Sequence, residues 1–157
     1  MKCTASGATP ILGAAGDAAR FSGKGSDTQI KTSAARHTIL LVEDELPHLK
    51  LLTEIFEKAG YDIITAIDGV DATEIYSRRH DDIDLVVCDV ALPKLGGWTV
   101  YLSLKEINPD VKVILTSGYL DEKVRTVFVS GGVKDFIVKP YLAETILNSV
   151  REALGRN

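Results

Sequence analysis

Acidic side chains stand directly after two apolar runs of this 157-residue chain. Residues 43–45 (Glu-Asp-Glu) follow the run at 39–42, and Asp89 follows the run at 85–88. Neighbouring carboxylates repel one another, and each is driven toward its neutral form unless a cation compensates. Oxygen ligands of this kind suit a hard divalent ion, and Mg²⁺ is favoured where a phosphate completes its coordination. Taken alone, residues 43–45 fit equally well a water-facing loop beside the positive end of the next helix.

Two later apolar runs end in side chains that suit a phosphate. Residues 111–115 are followed by Thr116 and Ser117, and residues 135–138 are followed by Lys139. A lysine supplies a compact positive charge for a phosphoryl oxygen. Acids, hydroxyls and a lysine brought to one place would form a magnesium–phosphate site.

The sequence around these side chains alternates between short strand-like runs and segments with the spacing of a helix. Short β-branched runs predict five strands, and their starts are spaced by 23, 23, 27 and 23 residues. Each interval has the length of a strand, a helix and two turns, which indicates parallel strands joined by crossover helices. In such a sheet the ligand crevice lies at the carboxyl ends of the strands, where the side chains above would meet. The strands are expected near 38–43, 61–66, 84–88, 111–116 and 134–138.

Helical spacing fills the intervals between these strands. Pro47 suits the first turn of a helix that ends at Gly60, and Asn108-Pro109 must end a third helix that begins near Gly97 or Trp98. A second helix is expected over 70–79, and a last one from about Tyr141.

The fourth helix is ambiguous, because residues 126–129 (Thr-Val-Phe-Val) also suit a strand. A helix is favoured there, since Asp121 is a plausible cap and the strand–helix alternation demands a crossover.

Four motifs in order resemble those of the receiver domain of two-component response regulators. They are VEDE at 42–45, DVALPKLGG at 89–97, TSG at 116–118 and FIVKP at 136–140, and the resemblance covers about residues 37 to 155. It implies a flavodoxin-like, doubly wound (βα)5 domain of the α/β class, with a five-stranded parallel sheet in the order 2-1-3-4-5. The TSG-Tyr and KP-Tyr continuations resemble receivers attached to hybrid histidine kinases.

The resemblance also implies a nucleophile and a metal site. Asp89 would take a phosphoryl group from a phosphohistidine donor, in a protein that catalyses only its own phosphorylation and dephosphorylation. Mg²⁺ would be bound by Asp44, Asp89 and the backbone carbonyl of Ala91, with Glu43 acting directly or through water. Glu43 stands where the family more often has aspartate, and its extra methylene favours a water-mediated position.

The remaining implied roles concern the switch. Lys139 would pair with the phosphoryl oxygens, Thr116 would turn inward to hydrogen-bond one of them, and Phe136 would repack as Thr116 moves. An ordinary core position is an equally good interpretation of Phe136, because phenylalanine has no hydroxyl to report the change. The Lys139-Pro140 bond resembles one that is cis in the family.

Composition limits the partners. In residues 1–36, 22 of 36 are Ala, Gly, Ser, Thr or Pro, which indicates a flexible tail or linker remnant before a domain at 37–157. Without the tail's five basic and two acidic residues, 13 basic and 20 acidic residues remain, a balance of -7 that argues against nucleic-acid binding. The sequence contains no run of 18 apolar residues, so no membrane-spanning helix is predicted. Its two cysteines are too few for a disulfide framework, which suggests a reducing, cytoplasmic setting.

Other functions fit the chain less well. A haloacid-dehalogenase-type phosphatase also uses a strand-end aspartate with Mg²⁺ and lysine, but it needs an acid two residues later, where Ala91 stands. A flavodoxin-like cofactor binder would need a phosphate loop at residues 43–45, which are acidic.

The expected partners are a histidine kinase or a histidine phosphotransfer domain. A homodimer through helix 4, strand 5 and helix 5 is also possible. His37, His48 and His80 lack zinc-like spacing and are expected at the surface, whereas Cys88 and Trp98 are expected in packing.

Overall fold

The computed structural model describes residues 36–119 and 121–155. Of the predicted tail, only Arg36 falls within the described residues, so the tail stays a prediction. Within the described residues, five strands alternate with five helices, and one 3₁₀ turn (His80–Asp82) precedes the third strand. They are β1 (Thr38–Val42), α1 (Leu46–Lys58), β2 (Asp62–Ala66), α2 (Gly69–Arg79), β3 (Leu85–Asp89), α3 (Gly97–Ile107), β4 (Val113–Ser117), α4 (Glu122–Ser130), β5 (Asp135–Val138) and α5 (Ala143–Ala153).

All five strands are parallel and lie in the order β2-β1-β3-β4-β5. The expected doubly wound (βα)5 architecture is therefore confirmed. In the register of the central strands, Val42 pairs with Cys88 and Asp89 pairs with Thr116. This register brings the ends of β1, β3 and β4 to the same height at one edge of the sheet.

The central strands β1, β3 and β4 are buried on both faces of the sheet, which explains why they are apolar along most of their length, whereas the edge strand β2 is partly exposed. Side chains on one face pack against α2, α3 and α4, and those on the other face pack against α1 and α5. The first core includes Leu40, Val86, Cys88, Leu115, Ala72, Leu104 and Phe128, and the second includes Ile39, Leu41, Val87, Ile114, Phe56, Ile146 and Val150.

The ambiguous fourth segment is a helix, as favoured from its flanks. The carboxylate of Asp121 accepts a hydrogen bond from the backbone N–H of Lys123 at 2.8 Å, and so caps the first turn of α4. α5 begins at Ala143, two residues later than expected, because Leu142 is extended with ψ 151° and serves as the N-cap. A side-chain cap thus marks the start of α4, whereas the extended backbone of Leu142 marks the start of α5.

Candidate functional site

The carboxyl ends of β1, β3, β4 and β5 meet in one crevice. Asp89 is the last residue of β3 and lies beside Thr116 of β4. Glu43 follows β1 directly, and its backbone N–H donates to the carbonyl of Ala66 at the end of β2. The backbone N–H of Lys139 donates to the carbonyl of Ser117 at 2.7 Å, which holds the residue after β5 against the end of β4.

Lys139 joins two buried acids. Its Nζ lies 2.8 Å from Oε2 of Glu43 and also donates to Oδ2 of Asp89. Glu43 is only 1% exposed and Asp89 6%, so neither carboxylate has much water to compensate its charge. Burial lowers the pKa of Lys139, but its hydrogen bonds to Asp89 and Glu43 outweigh burial and raise that pKa overall. The ammonium is therefore firmly charged, and it neutralises part of the acidic cluster.

Three acids in the crevice have the donor atoms for a hard divalent ion. One carboxylate oxygen from each of Glu43, Asp44 and Asp89 lies within 4.8 Å of the others. Asp44 is exposed whereas the other two are buried, so the group opens to solvent on one side. An all-oxygen set with an open side suits Mg²⁺, which keeps waters or a phosphate in its coordination shell. These residues fit the ion that the sequence predicts.

Two side-chain contacts hold the loop between β3 and α3 in place. Oδ1 of Asp89 accepts a hydrogen bond from the backbone N–H of Ala91 at 2.8 Å. Lys94, whose φ of 64° is in the left-handed region, reaches across to Oδ2 of Asp68 at 2.5 Å. Asp68 also caps α2, and the hydrogen bond from Lys94 is the main cause that lowers the pKa of Asp68. The loop that carries Ala91 is thus anchored to a neighbouring helix.

The two predicted switch residues lie in different surroundings, Thr116 beside Asp89 at the crevice and Phe136 in the core. Thr116 is 2% exposed, at the end of β4. Phe136 is buried in the core beneath α4, with its ring 5.7 Å from that of Phe128. In this structure Phe136 makes the contacts of a core aromatic side chain, and its part in a switch stays a prediction.

Comparison with known proteins decides the family. Residues 39–151 match the model of the response regulator receiver domain. The chain belongs to that family. Receiver domains are signalling phosphoacceptors that bind Mg²⁺ in an acidic site and interact with histidine kinases or phosphotransfer proteins. This match supports the receiver interpretation and not the haloacid-dehalogenase alternative.

Individual relatives show how such receivers occur. The chain is 30% identical to the chemotaxis protein CheY of Treponema pallidum over 125 residues, covering 79% of this chain and 87% of that protein. It is 32% identical to the sensor kinase CckA of Brucella abortus over 119 residues, covering 76% of this chain and only 13% of that protein. A crystal structure of a CheX-CheY-BeF3-Mg²⁺ complex from Borrelia burgdorferi is 33% identical, with a TM-score of 0.71 and coverage of 74% and 87%.

The sequence interpretation missed His48 in this receiver. It predicted a surface histidine, but the side chain is only 22% exposed, and Nδ1 lies 2.6 Å from Oε2 of Glu43. A search for zinc-like spacing had no way to detect a histidine that contacts one carboxylate. The available signal was position, since His48 is in the first turn of the helix that follows Glu43.

Tyr141 is the second residue that sequence reasoning passed over. Its hydroxyl is buried and has no hydrogen-bond partner among the residues that the structure describes. Burial raises the pKa of Tyr141 to about 12; the charge of Lys139 opposes the rise, and the charges of Glu43 and Asp89 add to it. The side chain of Thr116 also opposes the rise as the nearby hydrogen-bonding group, although it does not reach normal hydrogen-bond geometry. The phenol therefore faces the receiver's acidic crevice rather than solvent.

Two further expectations concern packing beside the site. Cys88 is fully buried in the core, and burial raises the pKa of its thiol. Trp98 stacks on Phe128 with ring centroids 4.5 Å apart. Both therefore pack as expected. Within residues 36–119 and 121–155, no helix is long and apolar enough to cross a membrane.

Proposed function

We propose that Asp89 is the phosphoacceptor of this receiver. A carboxylate oxygen of Asp89 forms a bond to phosphorus while the phosphorus–nitrogen bond of a phosphohistidine breaks, and the donor imidazole leaves with the bonding electron pair. The donor is a histidine kinase or a histidine phosphotransfer domain. The observation that carries this proposal is the pairing of Lys139 with both Asp89 and Glu43 in a buried crevice.

The roles of the neighbouring residues follow from charge. The ammonium of Lys139 would bind a phosphoryl oxygen once Asp89 carries an acyl phosphate, and its hydrogen bond to that carboxylate supports this role. Asp44, Asp89, Glu43 and the backbone carbonyl of Ala91 are the proposed ligands of Mg²⁺, which when bound neutralises phosphoryl charge and aligns the transfer.

Phosphorylation would act as a switch. The hydroxyl of Thr116 would hydrogen-bond a phosphoryl oxygen, and Phe136 would repack against the change. Partner binding is proposed at the face formed by α4, β5 and α5, either to another protein or in a homodimer.

Beyond its own phosphorylation and dephosphorylation, no catalytic activity is proposed. Ala91 offers no polar side chain at the position where a phosphatase of the haloacid-dehalogenase type needs an acid. The coverage of CckA supports a receiver that is one segment of a hybrid kinase, and the coverage of CheY supports an independent one. In either setting a cytoplasmic location is proposed, without nucleic-acid binding by this domain.

The deciding experiment is phosphorylation by a small phosphodonor with Mg²⁺, followed by intact-mass measurement. We expect one phosphoryl group on the wild type, none on Asp89→Asn, and none when a chelator removes the metal. Asp110→Asn is the matched control, because Asp110 is an exposed acid just before β4, at the opposite edge of the sheet. An adduct on Asp89→Asn would show that another residue is the acceptor. Turnover of phosphatase substrates without an adduct would restore the enzyme alternative.

A further inference from the structure

Two donors converge on the same oxygen of Glu43. Nδ1 of His48 lies 2.6 Å from Oε2, and Nζ of Lys139 lies 2.8 Å from that same atom. The contact described for Oε1 is much weaker, a backbone N–H of Glu45 at 3.4 Å. The two carboxylate oxygens of Glu43 therefore have different surroundings. Oε2 is committed to protein donors, whereas Oε1 is held only loosely.

The length of Glu43 makes this arrangement important. A glutamate has one more rotatable bond than an aspartate, so its carboxylate must be fixed by partners if it is to remain in one place. Glu43 is also almost completely buried, and a buried carboxylate without donors is strongly disfavoured. Lys139 alone does not meet this need, because it is shared with Asp89.

His48 is well suited to fix a carboxylate. It lies in the first turn of α1, immediately after the loop that carries Glu43, Asp44 and Glu45. On its other side the imidazole ring approaches the ring of Tyr141, with centroids 6.1 Å apart. The helix backbone and the segment after β5 thus limit where the ring can move. A donor held in this way restricts the carboxylate that it contacts.

We propose that His48 is a positioning residue for the metal site of this receiver. By holding Oε2 of Glu43 beside Lys139, it leaves Oε1 for the ion or for a water bound to the ion. The histidine thereby offsets the freedom that glutamate introduces at this position. The proposal rests on the proposed function, since it assigns Glu43 to the Mg²⁺ site, and it predicts that His48 sets metal affinity without being a ligand.

The test is calorimetric titration of the unphosphorylated protein with Mg²⁺. We expect His48→Ala to raise the dissociation constant about tenfold, as is typical when a residue that orients a metal ligand is lost. His48→Asn should recover most of the affinity, because its side-chain amide can donate from nearly the position of Nδ1. His37→Ala is the matched control, since His37 also contacts a carboxylate, Asp84 at 3.3 Å, but before β1 at the opposite edge of the sheet.

A double-mutant cycle separates positioning from packing. Glu43→Asp withdraws the carboxylate from His48, so His48→Ala should change the Mg²⁺ dissociation constant much less in that background. If His48→Ala does not fold, as judged by circular dichroism, His48→Leu replaces it as a variant that fills space but cannot donate.

Three results would overturn the proposal: unchanged or tighter Mg²⁺ binding in His48→Ala, equal losses in the alanine and asparagine variants, or equal effects in the two Glu43 backgrounds. The outcome is independent of phosphoryl transfer, because it is measured without a phosphodonor. Weaker metal binding in a protein whose Asp89 is never phosphorylated would contradict the proposed function alone. Normal phosphorylation of Asp89 with unaltered Mg²⁺ affinity in His48→Ala would contradict the positioning role alone.

Discussion

Among the residues that the structure describes, none makes a hydrogen bond of normal geometry with the buried hydroxyl of Tyr141. Tyr141 is placed by the segment after β5, and its hydroxyl is buried near Thr116 and Lys139. An unsatisfied buried polar group costs free energy that a phenyl ring does not. The hydroxyl thus lowers stability at a position near the proposed phosphoacceptor Asp89, where it could bond to a group that enters the crevice.

Replacing Tyr141 by phenylalanine should therefore stabilise the protein. We expect Tyr141→Phe to raise the free energy of unfolding by about 1 kcal/mol, measured by urea denaturation without Mg²⁺. Tyr101→Phe is the matched control and should lower it by about 1 kcal/mol, because the hydroxyl of Tyr101 donates to the carbonyl of Gly131 at 2.8 Å. Equal losses in the two variants would mean that the Tyr141 hydroxyl has a partner in solution.

The same hydroxyl predicts a pH dependence. Burial raises the pKa of Tyr141 from 10.0 to about 12, so above pH 10 the unfolded chain releases a proton that the folded protein retains. The associated stability is complete below pH 10 and is lost as the pH rises through 12. Unfolding free energies at pH 9 and pH 11 should fall more in the wild type than in Tyr141→Phe. An equal decrease of the unfolding free energy in the two proteins would mean that the phenol of Tyr141 is exposed to water.

Sequence reasoning at this scale identified the residues at strand ends and missed those beside them. Asp89 and Lys139 were predictable because parallel strands deliver their next residues to one edge. His48 and Tyr141 were not, because their contacts depend on how α1 is rotated and on the path of the chain after Pro140, where the Lys139-Pro140 bond is cis. Tertiary packing determines the rotation of α1 and the path of the chain after Pro140, and neither can be inferred from the local sequence.

At the scale of elements, α3 begins unusually close to the end of β3. A Cβ atom on Gly97 would lie 2.3 Å from the carbonyl oxygen of Asp89 and 2.9 Å from Cα of Val90. Both neighbours are backbone atoms, so they cannot swing aside. The helix start and the proposed phosphoacceptor therefore share one tightly packed corner.

Gly97→Ala should disturb that corner. We expect it to lower the free energy of unfolding by about 1 to 3 kcal/mol, the usual cost of overpacking, and to slow phosphorylation by a small phosphodonor. Gly118→Ala serves as the matched control, because nothing lies within 4 Å of the Cβ that it would add. Urea denaturation and intact-mass time courses would measure both. If the two variants behaved alike, the close approach would have no consequence in solution.

The elements themselves were largely predictable, and their exact ends were not. Alternation of apolar runs with helical spacing gave five strands and five helices in the correct order along the chain. The start of β4 was expected at Val111 but lies at Val113, since the backbone N–H of Val111 instead closes a turn on the carbonyl of Asn108. Such turns form from backbone geometry that residue type only partly determines.

At the scale of the whole molecule, the acidic crevice links metal binding to stability. Glu43, Asp44 and Asp89 bring three carboxylates together, and Lys139 is the ammonium that pairs with two of them. A cation that binds only the folded protein stabilises it by mass action. The global unfolding equilibrium should therefore report occupancy of the site.

Mg²⁺ should accordingly raise the Tm of the wild type. At a Mg²⁺ concentration about one hundredfold above the dissociation constant, the free energy of unfolding should increase by about 2.7 kcal/mol. Asp44→Asn should lose most of the gain, while Glu45→Gln, which removes a charge from the adjacent residue outside the three-acid group, should keep it. Differential scanning calorimetry at constant ionic strength would measure the shifts. A similar rise in Asp44→Asn would indicate nonspecific charge screening.

The overall topology was only partly available from local patterns. The regular spacing of strands indicated a parallel sheet, but nothing in that spacing orders the strands. The order 2-1-3-4-5 came from the resemblance to receivers, and which helices cover which face became known only from the structure. Order depends on which crossovers pass over which face, and that is a property of the completed domain.

Glu43 and Lys139 are 96 positions apart in the chain, yet their side chains touch. Glu43 follows β1 and Lys139 follows β5, the first and last strands of the part of the chain that the structure describes. The proposed phosphate-accepting site would therefore be complete only after β5 has docked beside β4, and a chain in which β5 has not docked should not accept a phosphoryl group. Labelling by a phosphodonor would then count only finished molecules, which makes the reaction itself an assay of correct assembly.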